Sequence, residues 1–288
     1  MIQSSNDHPC VKVFQGEKRE LIHLRSDMDE ADIRIIPHVM DAVSCGNRNI
    51  VVSSNDTDVI VLLLYYTDVF HLHGLQQLWL RAGIGDSTRF IPLHTLAARM
   101  GTPLCKVLPA VHSLTGCDTT SKIGTKAAAL KCDPVIHLAD FGKAETASPP
   151  LLARAEEYLV KVLKRATTCK TFTELRKEIY HHSKNSIMQQ LPPTTIPLQQ
   201  HLLRAHLATF QMVHLLDHSE ALPNPTEFGY IDEDGLLLPS KKLSDVPVAL
   251  TVTCACGKCA RITCSCREEG ERCCQFCRCR LIVKTPLF

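Results

Sequence analysis

The sequence has no apolar stretch long enough to span a bilayer. Its longest uninterrupted run, 59–66, is eight residues, against the ~20 that a membrane helix needs. Residues 1–8 have no basic start leading into an apolar stretch, so they do not read as an export signal. Aromatic residues are scarce, at 5% with a single Trp in 288 residues, and the formal net charge is only +2. No repeat is found beyond Cys-X-Cys pairs. What is present, 45% hydrophobic and 22% charged, is ordinary globular composition, which excludes a disordered tail, a fibre or a coiled coil. The length allows one large domain or two modest ones.

Cysteine is more informative than charge. Of 15 cysteines, nine lie between Cys254 and Cys279, and the rest are scattered. With no export signal the compartment is expected to be reducing, where such a density indicates a metal site rather than a disulfide framework. The small net charge also hides an asymmetry. From residue 254 onward there are seven Lys/Arg against three Asp/Glu, or +4, leaving −2 for residues 1–253. The tail is the part suited to an acidic polymer.

Along the chain, residues 1–20 have no clear pattern. An amphipathic stretch at 31–42 ends at Cys45-Gly46-Asn47. The short apolar run 50–52 predicts a buried parallel strand. Residues 53–58 break it, and 59–66 reads as a buried helix. Segments 69–72, 78–81 and 89–91 read as further strands, and 94–100, 108–114 and 125–130 as helices. Strands alternating with helices predict an α/β domain with a mainly parallel sheet over 1–147. After Ser148-Pro149-Pro150 the spacing turns helical at 151–166, 172–182 and 198–217, giving a helical extension over 148–220. Residues 221–253 read as an extended linker, and 254–280 as a cysteine module.

Three acidic groups stand at element ends: Glu30 with Asp32, Asp56 with Asp58, and Asp118. Ligands of an open parallel sheet gather beyond the carboxyl ends of its strands, which is where Asp56 and Asp58 follow 50–52. Several carboxylates together suit hard divalent cations such as Mg²⁺ or Mn²⁺, which activate water and stabilise a leaving oxygen in phosphodiester hydrolysis. A plain structural alternative stands beside this. Asp27 with Glu30 resembles a capping box, Asp56 or Asp58 can cap the next helix, and Asp118 follows a helix-ending Gly in a turn.

Glu30-Ala31-Asp32-Ile33-Arg34, Asn55-Asp56-Thr57-Asp58-Val59-Ile60-Val61-Leu62 and Leu114-Thr115-Gly116-Cys117-Asp118-Thr119-Thr120 resemble the later acidic motifs of PIN-like, flap-endonuclease-type nucleases. They are closer still to a widespread set of animal proteins, of mobile-element type, that join such a domain to a cysteine-rich tail. The resemblance extends over 22–280 in the same order, including Arg89-Phe90-Ile91-Pro92-Leu93-His94, Leu191-Pro192-Pro193-Thr194, His201 and Arg204-Ala205. It implies a PIN-like fold with flanking helices, and metal-binding, catalytic roles for Glu30, Asp32, Asp56, Asp58 and Asp118. It also implies a nucleic-acid backbone grip at Gly124, Thr125 and Lys126, where a helix N-terminus offers N–H groups to a phosphate. Lys122 stands where the family motif has its first Gly. Nucleases of this type also use an aspartate on a first strand upstream. No strand is expected before Glu30 here, so the chain reads as the C-terminal part of that architecture.

In the tail, Cys254, Cys256, Cys259, Cys264, Cys266, Cys273, Cys274, Cys277 and Cys279 are spaced too closely for each metal to have four thiolates of its own. Six terminal and three bridging thiolates would serve about three zinc ions. With almost no apolar residues between them, this segment is expected to fold only around metal. Its back half resembles the tesmin-type CXC motif, which binds DNA, with Thr263 where that motif commonly has tyrosine. Arg261, Arg267 and Arg278 are candidate phosphate contacts, or else a solvated basic face that offsets the thiolates' charge. Histidines 181, 182, 201, 206 and 214 read as surface or core residues, and Cys117 as a small buried side chain. Three functions compete: a metal-dependent nuclease acting on nucleic acid, DNA before RNA; a non-catalytic DNA-binding remnant that uses the tail; and a protein-interaction module built on the late helices. The first two place the protein inside the cell, in the nucleus.

Overall fold

A computed structural model of the chain describes residues 2–5, 8–14, 17–20, 24, 31–182, 191–217, 222–240 and 266. The chain divides into two compact units, 1–240 and 241–288. Of the second, only residue 266 is described, so nearly all of the predicted cysteine module lies outside the described residues. Among the described residues no helix is long and apolar enough to cross a membrane.

Three short antiparallel strands, β1 (Ile2–Ser5), β2 (His8–Phe14) and β3 (Glu17–Glu20), form a meander at the N-terminus. This corrects the expectation that no strand precedes Glu30. Pairing here uses backbone groups that every non-proline residue carries, so it need leave no hydrophobic pattern in the sequence.

The α/β part follows as α1 (Ala31–Ser44), β4 (Asn49–Ser53), α2 (Thr57–Leu72), β5 (Gln77–Ala82), β6 (Arg89–Pro92), α3 (Leu93–Met100) and α4 (Thr102–Thr115). The sheet order is β4-β5-β6, with β4 parallel and β6 antiparallel to β5. The sheet is therefore small and mixed, not mainly parallel, because β5 and β6 are joined by a short reversal around the 3₁₀ turn Gly85–Ser87 rather than by a helical crossover.

Two local expectations also change. Residues 69–72, read as a strand, are the last turn of α2. The apolar run from Val59 meets no breaker until Gly74, which takes a φ of +104°, so the helix continues. The run 50–52, read as buried, lies on an edge strand with Val51 56% exposed. Isoleucine and valine occupy both of its faces, which hides the alternation that would have marked a half-exposed strand.

The rest of the unit is helical: α5 (Lys126–Ala129), α6 (Pro134–Leu138), α7 (Pro149–Leu163), α8 (Phe172–His182) and α9 (Thr195–Val213). Within the predicted linker, a 3₁₀ turn at Pro225–Phe228 leads into the hairpin β7 (Tyr230–Glu233) and β8 (Leu236–Pro239).

The buried apolar residues form two clusters. One packs α1, α2 and α3 on the inner face of the sheet, with Ile36, Leu63, Leu78 and Leu80 wholly buried. The other joins α4 to α6, α7, α8 and α9, around Leu114, Ala155, Tyr158 and Phe172. Helix α4 serves both, through Leu108 on one side and Val107, Ala110, Val111 and Leu114 on the other.

A polar link also joins α2 to the end of α9. The buried hydroxyl of Tyr66 donates to the carbonyl of Met212 at 3.1 Å and accepts from the amide of Leu215 at 3.0 Å. Burial pushes the phenol's pKa far up, so it stays neutral at all working pH values. Tyr66→Phe removes both partners while keeping the ring, and is expected to destabilise the protein by about 1–3 kcal/mol with no loss of helix content. Chemical denaturation followed by circular dichroism checks this.

Candidate functional site

The cleft is built where β4 ends. Ser54 accepts the amide of Asp56 on its Oγ at 3.0 Å, and Asp56 caps α2 by accepting the amide of Asp58 on Oδ1 at 2.8 Å. The capping alternative is thus correct for Asp56, and the cap also fixes the two carboxylates at the mouth of a cleft of about 550 Å³. Residues 56–58, the last turn of α4 and the following segment as far as Lys126 line it.

That segment is held by its own hydrogen bonds. Thr120 donates its hydroxyl to the carbonyl of Ser113 at 2.6 Å and accepts the amide of Cys117 at 3.1 Å, closing a turn that carries Asp118 exposed. The amide of Ile123 donates to the carbonyl of Thr115 at 3.1 Å. Gly116 is required at the pivot: its φ is +115°, and a Cβ there would lie 2.8 Å from Cα of Lys122. Burial pushes the pKa of the Tyr230 phenol in β7 up, with Cys117 and Thr119 of this turn among the groups that influence it.

Asp32, in the first turn of α1, completes the constellation. Partial burial raises its pKa above the ordinary carboxylate range, and the charges of Asp56, Asp58 and Asp118 raise it further, as does a hydrogen bond with Asp56. Carboxylates from three separate segments therefore share one electrostatic site. Glu30, the fifth predicted member, lies outside the described residues.

A group that the sequence did not single out is His112. Its ring is 2% exposed and lines the cleft, with Nε2 2.7 Å from Oδ1 of Asp58. That is ion-pair distance but off the alignment of a hydrogen bond, and Nδ1 has no hydrogen-bond partner among the described residues. His112 is the foremost cause holding the pKa of Asp58 below its ordinary range; burial opposes it, and Lys126 and Asp56 assist. The available signal was a lone imidazole within the mostly apolar stretch Val107–Leu114, three residues before the Thr115-Gly116-Cys117-Asp118 motif.

The predicted backbone grip reaches the same cleft. Gly124, Thr125 and Lys126 line it with Lys122, but α5 is a single four-residue turn capped by Thr125, whose Oγ1 accepts the amide of Ala128 at 3.1 Å. Gly124 is fixed by packing, since a Cβ there would meet Val162 at 2.6 Å. Arg261, Arg267 and Arg278 and all the tail cysteines except Cys266 lie outside the described residues; Cys266 is buried.

The other histidines are structural. His201 donates from Nε2 to the carbonyl of Leu114 at 2.9 Å. His206 donates from Nε2 to the carbonyl of Ala144 at 2.8 Å, accepts the amide of Gly142 at 3.3 Å, and stacks on Phe228. His214 stacks on Phe210. Cys117 is half-buried, with its thiol 3.2 Å from the hydroxyl of Thr120.

As donors, carboxylate oxygens are of the kind that hard cations take, and the raised pKa of Asp32 comes first from partial burial and then from the charges of Asp56, Asp58 and Asp118. Among the described residues, no three His, Cys, Asp or Glu side chains stand close enough to enclose one ion. No protein-family model, curated protein or solved structure matches the chain.

The two perturbed carboxylates predict stability effects of opposite sign. Asp32 has a raised native pKa, so its charge opposes folding at neutral pH. Asp32→Asn should stabilise the protein at pH 7 by less than about 1 kcal/mol because solvent screens the charge, and this gain should fade as pH falls through the carboxylate range. Asp58 has a lowered native pKa, so it stabilises above that range and the contribution is lost on acidification. Asp58→Asn should cost about 1–3 kcal/mol at pH 7 by leaving His112 against a neutral amide. Thermal melts of both variants across pH test the pair of signs.

Proposed function

We propose that this chain is a PIN-like protein whose cleft is a metal-dependent nuclease site, hydrolysing phosphodiester bonds of nucleic acid, DNA before RNA. One observation carries the reading: the Asp56–Asp58 pair and Asp118, far apart in the chain, line one cleft, close enough to Asp32 for their charges to help raise its pKa. Such clusters of repelling carboxylates oppose folding and are characteristic of functional sites.

In this reading Asp32, Asp56, Asp58 and Asp118, with Glu30, hold Mg²⁺ or Mn²⁺. When bound, the ion supplies an activated water and charge stabilisation for the leaving oxygen. The chain's own groups do the rest. His112 orients Asp58 and keeps it ionised, so that this carboxylate does not need to lose a proton before it can act. Lys122 and Lys126, which line the same cleft, supply positive charge for a phosphate, and residues 124–126 lie within that lining. The tight Gly116–Lys122 approach fixes Asp118 relative to α4. The tail, with nine cysteines from Cys254 to Cys279, binds zinc and carries Arg261, Arg267 and Arg278 to a phosphate backbone. A protein of this kind works where DNA is, in the nucleus.

Two measurements test this. Labelled single-stranded, flapped and duplex nucleic acids are incubated with the intact chain and Mn²⁺ or Mg²⁺. Cleavage is expected, and the double variant Asp56→Asn/Asp58→Asn should slow it by at least about a hundredfold. Cleavage that persists unchanged in that variant, or no cleavage by folded protein, overturns the enzymatic reading. Elemental analysis of the purified chain is expected to find about three zinc ions; none would overturn the assignment of the tail.

A further inference from the structure

Among the described residues, the sheet beside the cleft is covered on one face only. Leu78 and Leu80, wholly buried, point to α1, α2 and α3. On the opposite face the strand register places Val51, Trp79 and Pro92 in one row across β4, β5 and β6, and Ser53, Arg81 and Phe90 in the next. Val51 and Phe90 are each 56% exposed, and Arg81 is exposed without an ion-pair partner among the described residues. All-parallel sheets bury both faces; this small mixed sheet leaves one face open among the described residues. Here a chain with 5% aromatic residues sets its single Trp and an exposed Phe on the uncovered one.

We propose that this face is a stacking platform for single-stranded nucleic acid, leading the strand into the carboxylate cleft. The proposal rests on the reading of that cleft as a nucleic-acid site and names the form of the substrate. Three observations favour this occupant. First, aromatic faces and a guanidinium plane side by side are the elements that hold unpaired bases, while Arg also pairs with a phosphate. Duplex bases are already stacked on each other and cannot use them. Second, Trp79 is fixed in advance: its indole N–H donates to Oε1 of Gln77 at 3.1 Å and its ring lies edge-on to His94 at 5.3 Å. Third, the platform and the cleft are continuous. Ser53, in the row of Arg81 and Phe90, precedes Asp56 by three residues, at most about 11 Å of chain, and Oδ1 of Asn55 accepts the amide of Gly83 at 2.6 Å. The β5–β6 reversal is thereby tied to the residue before Asp56. A protein covering the same rows would have to bring its own carboxylate to Arg81; a nucleic-acid backbone carries that charge at every step.

Because Trp79 is the single tryptophan, its emission reports on this face alone. The intact chain is titrated with a short thymidine oligonucleotide, an abasic oligomer of equal phosphate number and a blunt duplex, with no Mg²⁺ or Mn²⁺ added. The thymidine strand should quench Trp79, and the abasic strand and the duplex should not. Phe90→Ala should weaken thymidine binding about tenfold, and Arg81→Ala should reduce the salt slope by about one. Both side chains are exposed, so melting temperatures should be unchanged. If the abasic strand binds equally and the emission does not move, the platform is overturned and the cleft reading stands. If quenching occurs but Mn²⁺ brings no cleavage, the platform stands and the hydrolytic reading falls. If the chain dimerises and Val51→Asp dissolves the dimer while strands leave the emission unchanged, the face is a protein interface and the proposal is overturned.

Discussion

Helix α4 is covered on every side from Val107 to Thr115, and this constraint organises the molecule. Leu108 belongs to the core under the sheet, while Val107, Ala110, Val111 and Leu114 belong to the core of the later helices. Burial of each large apolar side chain is worth about 1.5–3 kcal/mol, so this helix couples the two cores, which α9 also bridges through Leu202 in one and Met212 against the other. Its last turn cannot shift without disturbing both. That turn delivers His112 and Thr115 to the cleft, and Gly116 then turns the chain so closely past Lys122 that Asp118 is held in place. The rigidity needed to position carboxylates comes from packing well away from them.

The cleft combines carboxylates of opposite effect on stability. Asp32 is held toward protonation first by partial burial and then by the charges of Asp56, Asp58 and Asp118, while Asp58 is kept ionised by the buried imidazole of His112, whose Nδ1 has no hydrogen-bond partner among the described residues. Buried, incompletely satisfied groups and repelling charges are tolerated only where surrounding structure holds them. Several polar groups elsewhere in the unit are fully matched. His206 uses both ring nitrogens, Tyr66 both its donor and its acceptor, and Glu178 gathers Cys169, Lys164 and Thr167 into one cluster that pushes its pKa down to about 2. The match is incomplete at the buried Oγ of Ser113 and Nδ1 of His201, which have no hydrogen-bond partner among the described residues.

Much of the helical framework was legible. Residues 172–182 match α8 end to end, Thr125 caps α5, and Gly116 closes α4, because caps and amphipathic spacing are local properties. Strands were read less well, since their partners lie elsewhere in the chain. The apolar run after Val59 does not reveal whether 69–72 continues a helix or starts a strand, and Val51 looks buried until the sheet order puts β4 on an edge. His112 could not be selected from its neighbours because its meaning depends on Asp58, 54 positions upstream, and nothing between them encodes that approach.

By itself, the sequence determined which segments could be helices, where they are capped, and which short acidic and cysteine-rich motifs bear chemistry, since spacing and residue type are sufficient for these. Only the tertiary structure decided that Asp32, Asp56, Asp58 and Asp118 share one electrostatic site with His112, that the sheet is mixed, and that Trp79 and Phe90 lie on its open face. Each of these depends on distances between residues remote in the chain, which are fixed by how α4 divides the core.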